Sequence, residues 1–162
     1  MQAVFVALQH SRRVFLKHGR RAPVSSGGHN GRSLPAPIPV HAFYADHFIL
    51  PLPSGHRFPM AKYGRLRERL TAELPQVRLG QALPASDGEL ALVHLPAFIR
   101  AIQSGTLDAA AQREIGFPWS PAMAERARRS VGATVAAARD ALVQGVAGNL
   151  AGGTHHAYAH KG

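Results

Sequence analysis

From Pro59 onward the apolar residues Met60, Tyr63, Leu66, Leu70 and Leu74 recur at intervals of three and four, with Arg65, Arg67, Glu68 and Arg69 between them. That spacing puts the apolar side chains on one stripe and predicts a helix. Pro59 suits its first turn, where no amide hydrogen is needed. Pro75 ends it, because the residue before a proline is driven out of the helical region. His41 to Tyr44 is aromatic, stops at Asp46 and reads as a short strand. Val77 to Leu79 is a second strand candidate, and Val146 to Leu150 is a buried one running into Ala151-Gly152-Gly153.

Further helices are marked by their ends. Ser86 with Glu89 three residues on forms a capping box, and the helix is expected to continue through Leu90 to Leu95. Pro96 breaks or restarts it, and Ala97 to Gln103 follows, closed by Gly105. Leu107 to Glu114 reads as a short helix. Ser120 caps a long alanine-rich helix with Pro121 at its first position; it reaches about Gln144, with Gly132 as the expected point of interruption and Gly145 as its end. Strands that alternate with helices long enough to cross back over a sheet predict an α/β fold with a mostly parallel sheet. In such sheets reactive groups sit just beyond the carboxyl ends of the strands, which is where His155 and His156 fall.

A chain of 162 residues, 46% apolar and 17% charged, has room for one domain with a hydrophobic core. Cysteine is absent, which excludes disulfides, a thiolate nucleophile and Cys-ligated zinc, and fits a reducing, cytoplasmic setting. No apolar run approaches the ~18–20 residues needed to span a bilayer, so no membrane partner is expected. The net charge of +10 invites a nucleic-acid reading. Residues 1–40, however, hold six Lys/Arg and no acid, whereas residues 41–162 carry a net of only +4. The remaining basic cluster, Arg126, Arg128 and Arg129, reads as the solvated face of a helix, so nucleic acid is not the expected partner. Residues 1–40, with a Ser/Gly stretch and prolines at 35, 37 and 39, read as a disordered or miscalled N-terminal extension outside the fold. Their Arg-rich, acid-free composition also resembles a transit peptide.

The segment that carries chemistry is Asn149-Leu150-Ala151-Gly152-Gly153-Thr154-His155-His156-Ala157. A buried strand ends in two glycines, which let backbone approach a neighbour closely. Two imidazoles follow, and imidazole titrates near neutrality, so one can act as a base while the other stays cationic. A bare His-His pair is also common in surface loops, and both readings stand at this level. The segment closely resembles the Asn-x-x-Gly-Gly-x-His-His stretch of histone deacetylases and acetylpolyamine amidohydrolases. Upstream, His56 to Tyr63 looks like the start of the first helix of class IV and bacterial class IV-like deacetylases. Leu92-Val93-His94 resembles the family's Val-His motif, and Arg129-Ser130-Val131-Gly132-Ala133-Thr134 resembles the helix before its catalytic strand.

The resemblance implies that residues 41–162 are the N-terminal part of a histone deacetylase domain with the three-layer arginase/deacetylase fold, truncated here. It implies an acetylated protein or small-molecule amine as substrate and a zinc ion that polarises the amide and activates water. His156 would be the general base and His155 its electrostatic partner. Gly153 would line the substrate channel, and Lys62 falls near a basic residue that lines an internal cavity in some members. His94 reads as structural, and His56 as a rim residue. Phe117 and Trp119 read as loop anchors rather than channel residues. The family binds zinc through an Asp-x-His pair and a later Asp. None of Asp46, Asp87, Asp108 and Asp140 has a histidine two positions on, so no zinc ligand is assigned and no cofactor is expected in this stretch. The expectation is a deacetylase sequence that is inactive alone. A non-catalytic regulatory remnant of the same fold and a basic nucleic-acid-binding module are the alternatives.

Overall fold

The computed structural model describes residues 40–152 and 157–162, together with the backbone of residues 5–8. In chain order the elements are β1 (Phe5–Leu8), β2 (His41–Tyr44), α1 (Lys62–Glu73), β3 (Arg78–Gln81), α2 (Asp87–Leu90), α3 (Pro96–Ser104), α4 (Ala109–Ile115), α5 (Pro121–Gln144) and β4 (Val146–Asn149). The sheet order is β1-β4-β2-β3. β2 lies parallel to both β3 and β4, with Ala42 opposite Leu79 on one side and Gly148 on the other. The α/β class with a parallel sheet flanked by helices is therefore the observed one. Of residues 1–40, the expected extension, Phe5–Leu8 lies antiparallel along β4, Val40 leads into β2, and the remainder lies outside the described residues.

Most local signals hold. Ser86 and Glu89 form the reciprocal capping box. Ser120 accepts from the Met123 amide and Pro121 opens α5. Gly105, Gly116 and Gly145 close α3, α4 and α5 in the left-handed conformation that a Cβ disfavours. Two expectations are corrected. The helix begun at Asp87 stops at Leu90 instead of running to Leu95. Pro96 holds Leu95 extended at ψ 138, and the Leu95 amide leaves the helical ladder for the Ala159 carbonyl at 2.7 Å. The long helix is not interrupted at Gly132 but runs unbroken from Pro121 to Gln144.

The core beneath α5 is built of small residues. Ala45, Ala82, Ala133 and Ala151 form one buried cluster and Ala137, Ala141 and Ala147 another, with Phe43 of β2 packed against both. Alanine lets the helix axis approach the sheet closely, and Phe43 fills the space between. Ala133 and Ala137 are fully buried. Added methylenes there have nowhere to go, so Ala137→Leu is expected to destabilise by ~1–3 kcal/mol. Urea unfolding of the two proteins checks this, and an unchanged midpoint would mean that the helix–sheet gap is looser than the burial indicates.

Candidate functional site

The carboxyl end of β4 is fixed by one side chain. Asn149 is 1% exposed, in the wall between β4 and α5. Its Nδ2 donates to Thr134 Oγ1 at 2.8 Å and to the Ser130 carbonyl at 3.3 Å, and its Oδ1 accepts from the Ala151 amide at 2.6 Å. One turn of α5 thus dictates how the chain leaves the strand. The Ser130 hydroxyl donates to the Gly152 carbonyl. Gly152 has φ +72, and a Cβ there would lie 3.1 Å from the Tyr63 hydroxyl. Both the backbone sign and the tyrosine therefore call for glycine at this position.

The same helix is pinned to the loop after β3. Arg129 donates to the Ala82 carbonyl at 3.1 Å, pairs with Glu125 at 2.7 Å and lies 3.8 Å over the Phe48 ring. Arg128 donates to the Ala85 carbonyl at 2.9 Å and pairs with Asp87, while its own carbonyl accepts from the Ala85 amide at 3.0 Å. Arg126 stacks 4.5 Å over Tyr63. All three arginines are partly buried. The expected solvated basic face is thus replaced by three guanidinium groups engaged within the fold, because each stem lies along the α5 surface that faces the loops.

Above the end of β4 lies a cavity of about 540 Å³. Its wall includes Tyr63, Phe58, Phe117, Arg126, Gly152 and Ala157. Gly153, His155 and His156 lie outside the described residues, but the residues that flank the 153–156 stretch, Gly152 and Ala157, both face this cavity. Phe117 is a wall residue rather than only an anchor, and its ring stacks on His56 at 5.8 Å. Trp119 is an anchor: its Nε1 donates to the Ile102 carbonyl at 2.7 Å.

Lys62 stands at the start of α1 with its ammonium 4.4 Å over Phe58 and 5.0 Å over Tyr63. Its pKa is lowered, first by desolvation and then by the Arg126 charge. That of Tyr63 is raised by burial, against an opposing pull from Arg126. Arg126 thus lowers both groups, so Arg126→Gln should move the midpoints of Lys62 and Tyr63 upward together. NMR titration of the lysine ε and tyrosine ring signals would show this, and opposite movements would contradict the arrangement. The sequence placed Arg126 on a solvated helix face and gave no sign of its role beside Tyr63 and Lys62. Its contact with Tyr63 joins residues far apart in the chain, and no periodicity announces it.

Among the described residues no group of three or more His, Asp or Glu side chains could hold a metal ion. Asp46 is engaged by Arg67 at 2.8 Å, Asp87 by Arg128 and Asp140 by His41 at 2.9 Å. Asp108 caps α4. Among the described residues these donors therefore do not make a zinc site.

The chain matches the histone deacetylase domain over residues 56–162. It is also 42% identical over 123 residues to an uncharacterised protein of Picosynechococcus sp.. That alignment covers 74% of this chain but 40% of the relative, so the chain spans well under half of the relative's length. The domain match runs from the His56 loop before α1, through the capped helices and the Asn149-anchored strand, to Gly162, and the chain belongs to the histone deacetylase family.

Proposed function

We propose that residues 41–162 form part of a zinc-dependent deacetylase domain acting on acetyl-lysine or a related acetylated amine. His156 serves as the proton acceptor and His155 as its electrostatic partner, with Gly153 and Lys62 beside the substrate path. The observation that supports this most is the cavity bordered by both Gly152 and Ala157, the residues on either side of Gly153 to His156. A strand end held by a buried asparagine and opening on a largely apolar cavity suits a site that positions side chains and excludes water. The metal would be supplied with ligands from outside residues 1–162, and this stretch alone would turn over no substrate.

Two measurements test the proposal together. The 162-residue chain is titrated with zinc by calorimetry and assayed on an acetyl-lysine peptide. The native protein from its source cell is assayed on the same peptide. The expected result is turnover by the native protein only, with His156→Phe in that protein reducing kcat by ~10²–10⁴-fold, the usual weight of a general base. Stoichiometric zinc and turnover by the short chain would overturn the second half of the proposal. A zinc-loaded native protein that leaves the peptide intact would overturn the first.

A further inference from the structure

Among the described strands β1 alone runs against its neighbour. β2 lies parallel to β3 and to β4, whereas β1 lies antiparallel along the outer edge of β4, with Phe5 opposite Asn149 and Leu8 opposite Val146. The main chain of β4 shows which of its groups face that edge. The Leu150 amide donates to the Phe43 carbonyl of β2 at 2.8 Å. Main-chain groups alternate sides along a strand, so the Gly148 amide also points to β2, and the amides of Ala147 and Asn149 point the other way. Their partners across the ladder are Ala7 and Phe5. β4 carries none of the devices that usually blunt an edge, since Val146-Ala147-Gly148-Asn149 has no charge and no proline. The opposite edge, β3, begins with the exposed Arg78. At the Leu8 end of the ladder, α5 finishes with Leu142 and Val143 exposed, so apolar surface adjoins the β4 edge.

We propose that the outer edge of β4 is a strand-docking surface, which Phe5–Leu8 fills in cis. The partner it fits is an extended, uncharged apolar segment running antiparallel to β4, of which Phe-Val-Ala-Leu is the chain's own example. Docking of this kind draws its affinity from main-chain bonds. A four-residue strand makes few of them. It stays in place because the covalent connection holds it at an effective concentration of about a millimolar. The same weakness makes it replaceable by an equivalent strand in trans. This surface is independent of the deacetylase reading, because it lies along the side of β4 and not in the cavity at its end.

Proline distinguishes the two sides of β1, and amide hydrogen exchange on the 162-residue chain reads the result. At Ala7 proline deletes an amide directed at β4. At Val6 the amide points away from β4, where an edge strand tolerates proline. In Ala7→Pro the Ala147 and Asn149 amides should exchange at least about tenfold faster, the loss expected for one hydrogen bond, while Gly148 and Leu150 keep their protection. Val6→Pro should leave these amides near the parent. A synthetic peptide of residues 2–10 at about 1 mM should then restore the protection of Ala147 and Asn149 in Ala7→Pro, and the same peptide carrying the proline should not. Concentration-dependent self-association of Ala7→Pro that the peptide reverses would also support the proposal, as the same edge taken by a second copy. Unchanged exchange at Ala147 and Asn149 in Ala7→Pro would overturn it, because β1 would not be covering the edge. Faster exchange that neither the peptide nor self-association reverses would overturn it too, since the opened edge would accept no strand. If Ala7→Pro does not fold, the parent decides. In low denaturant its Ala147 and Asn149 amides should exchange by local opening, ahead of Gly148 and Leu150. Exchange of all these amides only through global unfolding would make β1 a fixed part of the sheet and no replaceable occupant.

Discussion

Gly132→Ala is expected to cost this fold ~4 kcal/mol or more, although the same change in an open helix would stabilise it by ~1 kcal/mol. Two terms oppose each other. Alanine spares the backbone entropy that a helical glycine forfeits. Its Cβ, however, would fall inside the van der Waals envelope of the Leu83 carbonyl oxygen and lie 2.9 Å from the Ala85 amide nitrogen. These are backbone atoms, and they cannot swing away as the tip of a side chain would. The loop is held in place by Arg129 on Ala82, by Arg128 on Ala85 and by the Ala85 amide on Arg128. Relieving the clash means lifting α5 from the loop and losing those bonds, each worth ~1 kcal/mol and ~1.5–3 kcal/mol where the guanidinium donates. The clash therefore outweighs the propensity. Gly64→Ala in α1 is the control, because its Cβ would meet only Asp46 Oδ2 at an ordinary 3.7 Å. It should be neutral or stabilising by up to ~1 kcal/mol. Denaturant melts should show a large loss for Gly132→Ala and none for Gly64→Ala, and a Gly132→Ala protein as stable as the parent would mean that α5 does not seat on this loop.

The contrast between these two glycines shows what the chain discloses by itself. Both sit in helices, and the sequence read Gly132 as a weak point where the long helix would break. The structure gives it the opposite role, as a place where the helix comes close to the backbone of the loop after β3. Periodicity reports which face of a helix is apolar but not how near its neighbour comes, so close approach is invisible until the sheet is assembled. Caps and breakers were legible because they act within a few residues: Ser86 with Glu89, Ser120 with Pro121, and the glycines at the helix ends. The stop at Leu90 was not, because the partner that draws the Leu95 amide away is Ala159, far along the chain. The site divides in the same way. The Asn149 to Ala157 segment was legible as a motif. Tyr63 against Gly152, Arg126 over Tyr63 and His94 on Tyr158 are pairings between distant residues and carry no local signature.

Asn149 is the second position where a single change should have a large effect, and its two natural substitutions separate shape from charge. Asn149→Leu keeps the branched heavy-atom skeleton but removes every polar contact of the side chain. The Ala151 amide, now bonded at 2.6 Å, loses its acceptor and Thr134 Oγ1 loses a donor, while the Ser130 carbonyl keeps the Thr134 hydroxyl. Each of these two groups costs ~1–3 kcal/mol, so a loss of ~2–5 kcal/mol is expected. Asn149→Asp keeps the acceptor for Ala151 and adds a titration. A carboxylate in this 1% exposed position would face the Ser130 carbonyl, so burial favours its protonated form, which can still donate. The folded-state pKa of the introduced carboxyl should therefore lie above its unfolded value of about 3.9. The folded protein then binds more protons than the unfolded chain above that pH, and stability relative to the parent falls as pH rises. The deficit should be small near pH 4 and grow by about 1.4 kcal/mol for each unit up to the folded-state pKa, then level off. Unfolding measured across this range on parent and variant gives the slope directly. A deficit independent of pH would mean that the carboxylate finds water or a cation at the end of β4. The wall that turns the chain toward His155 and His156 would then be more open than the burial of Asn149 requires.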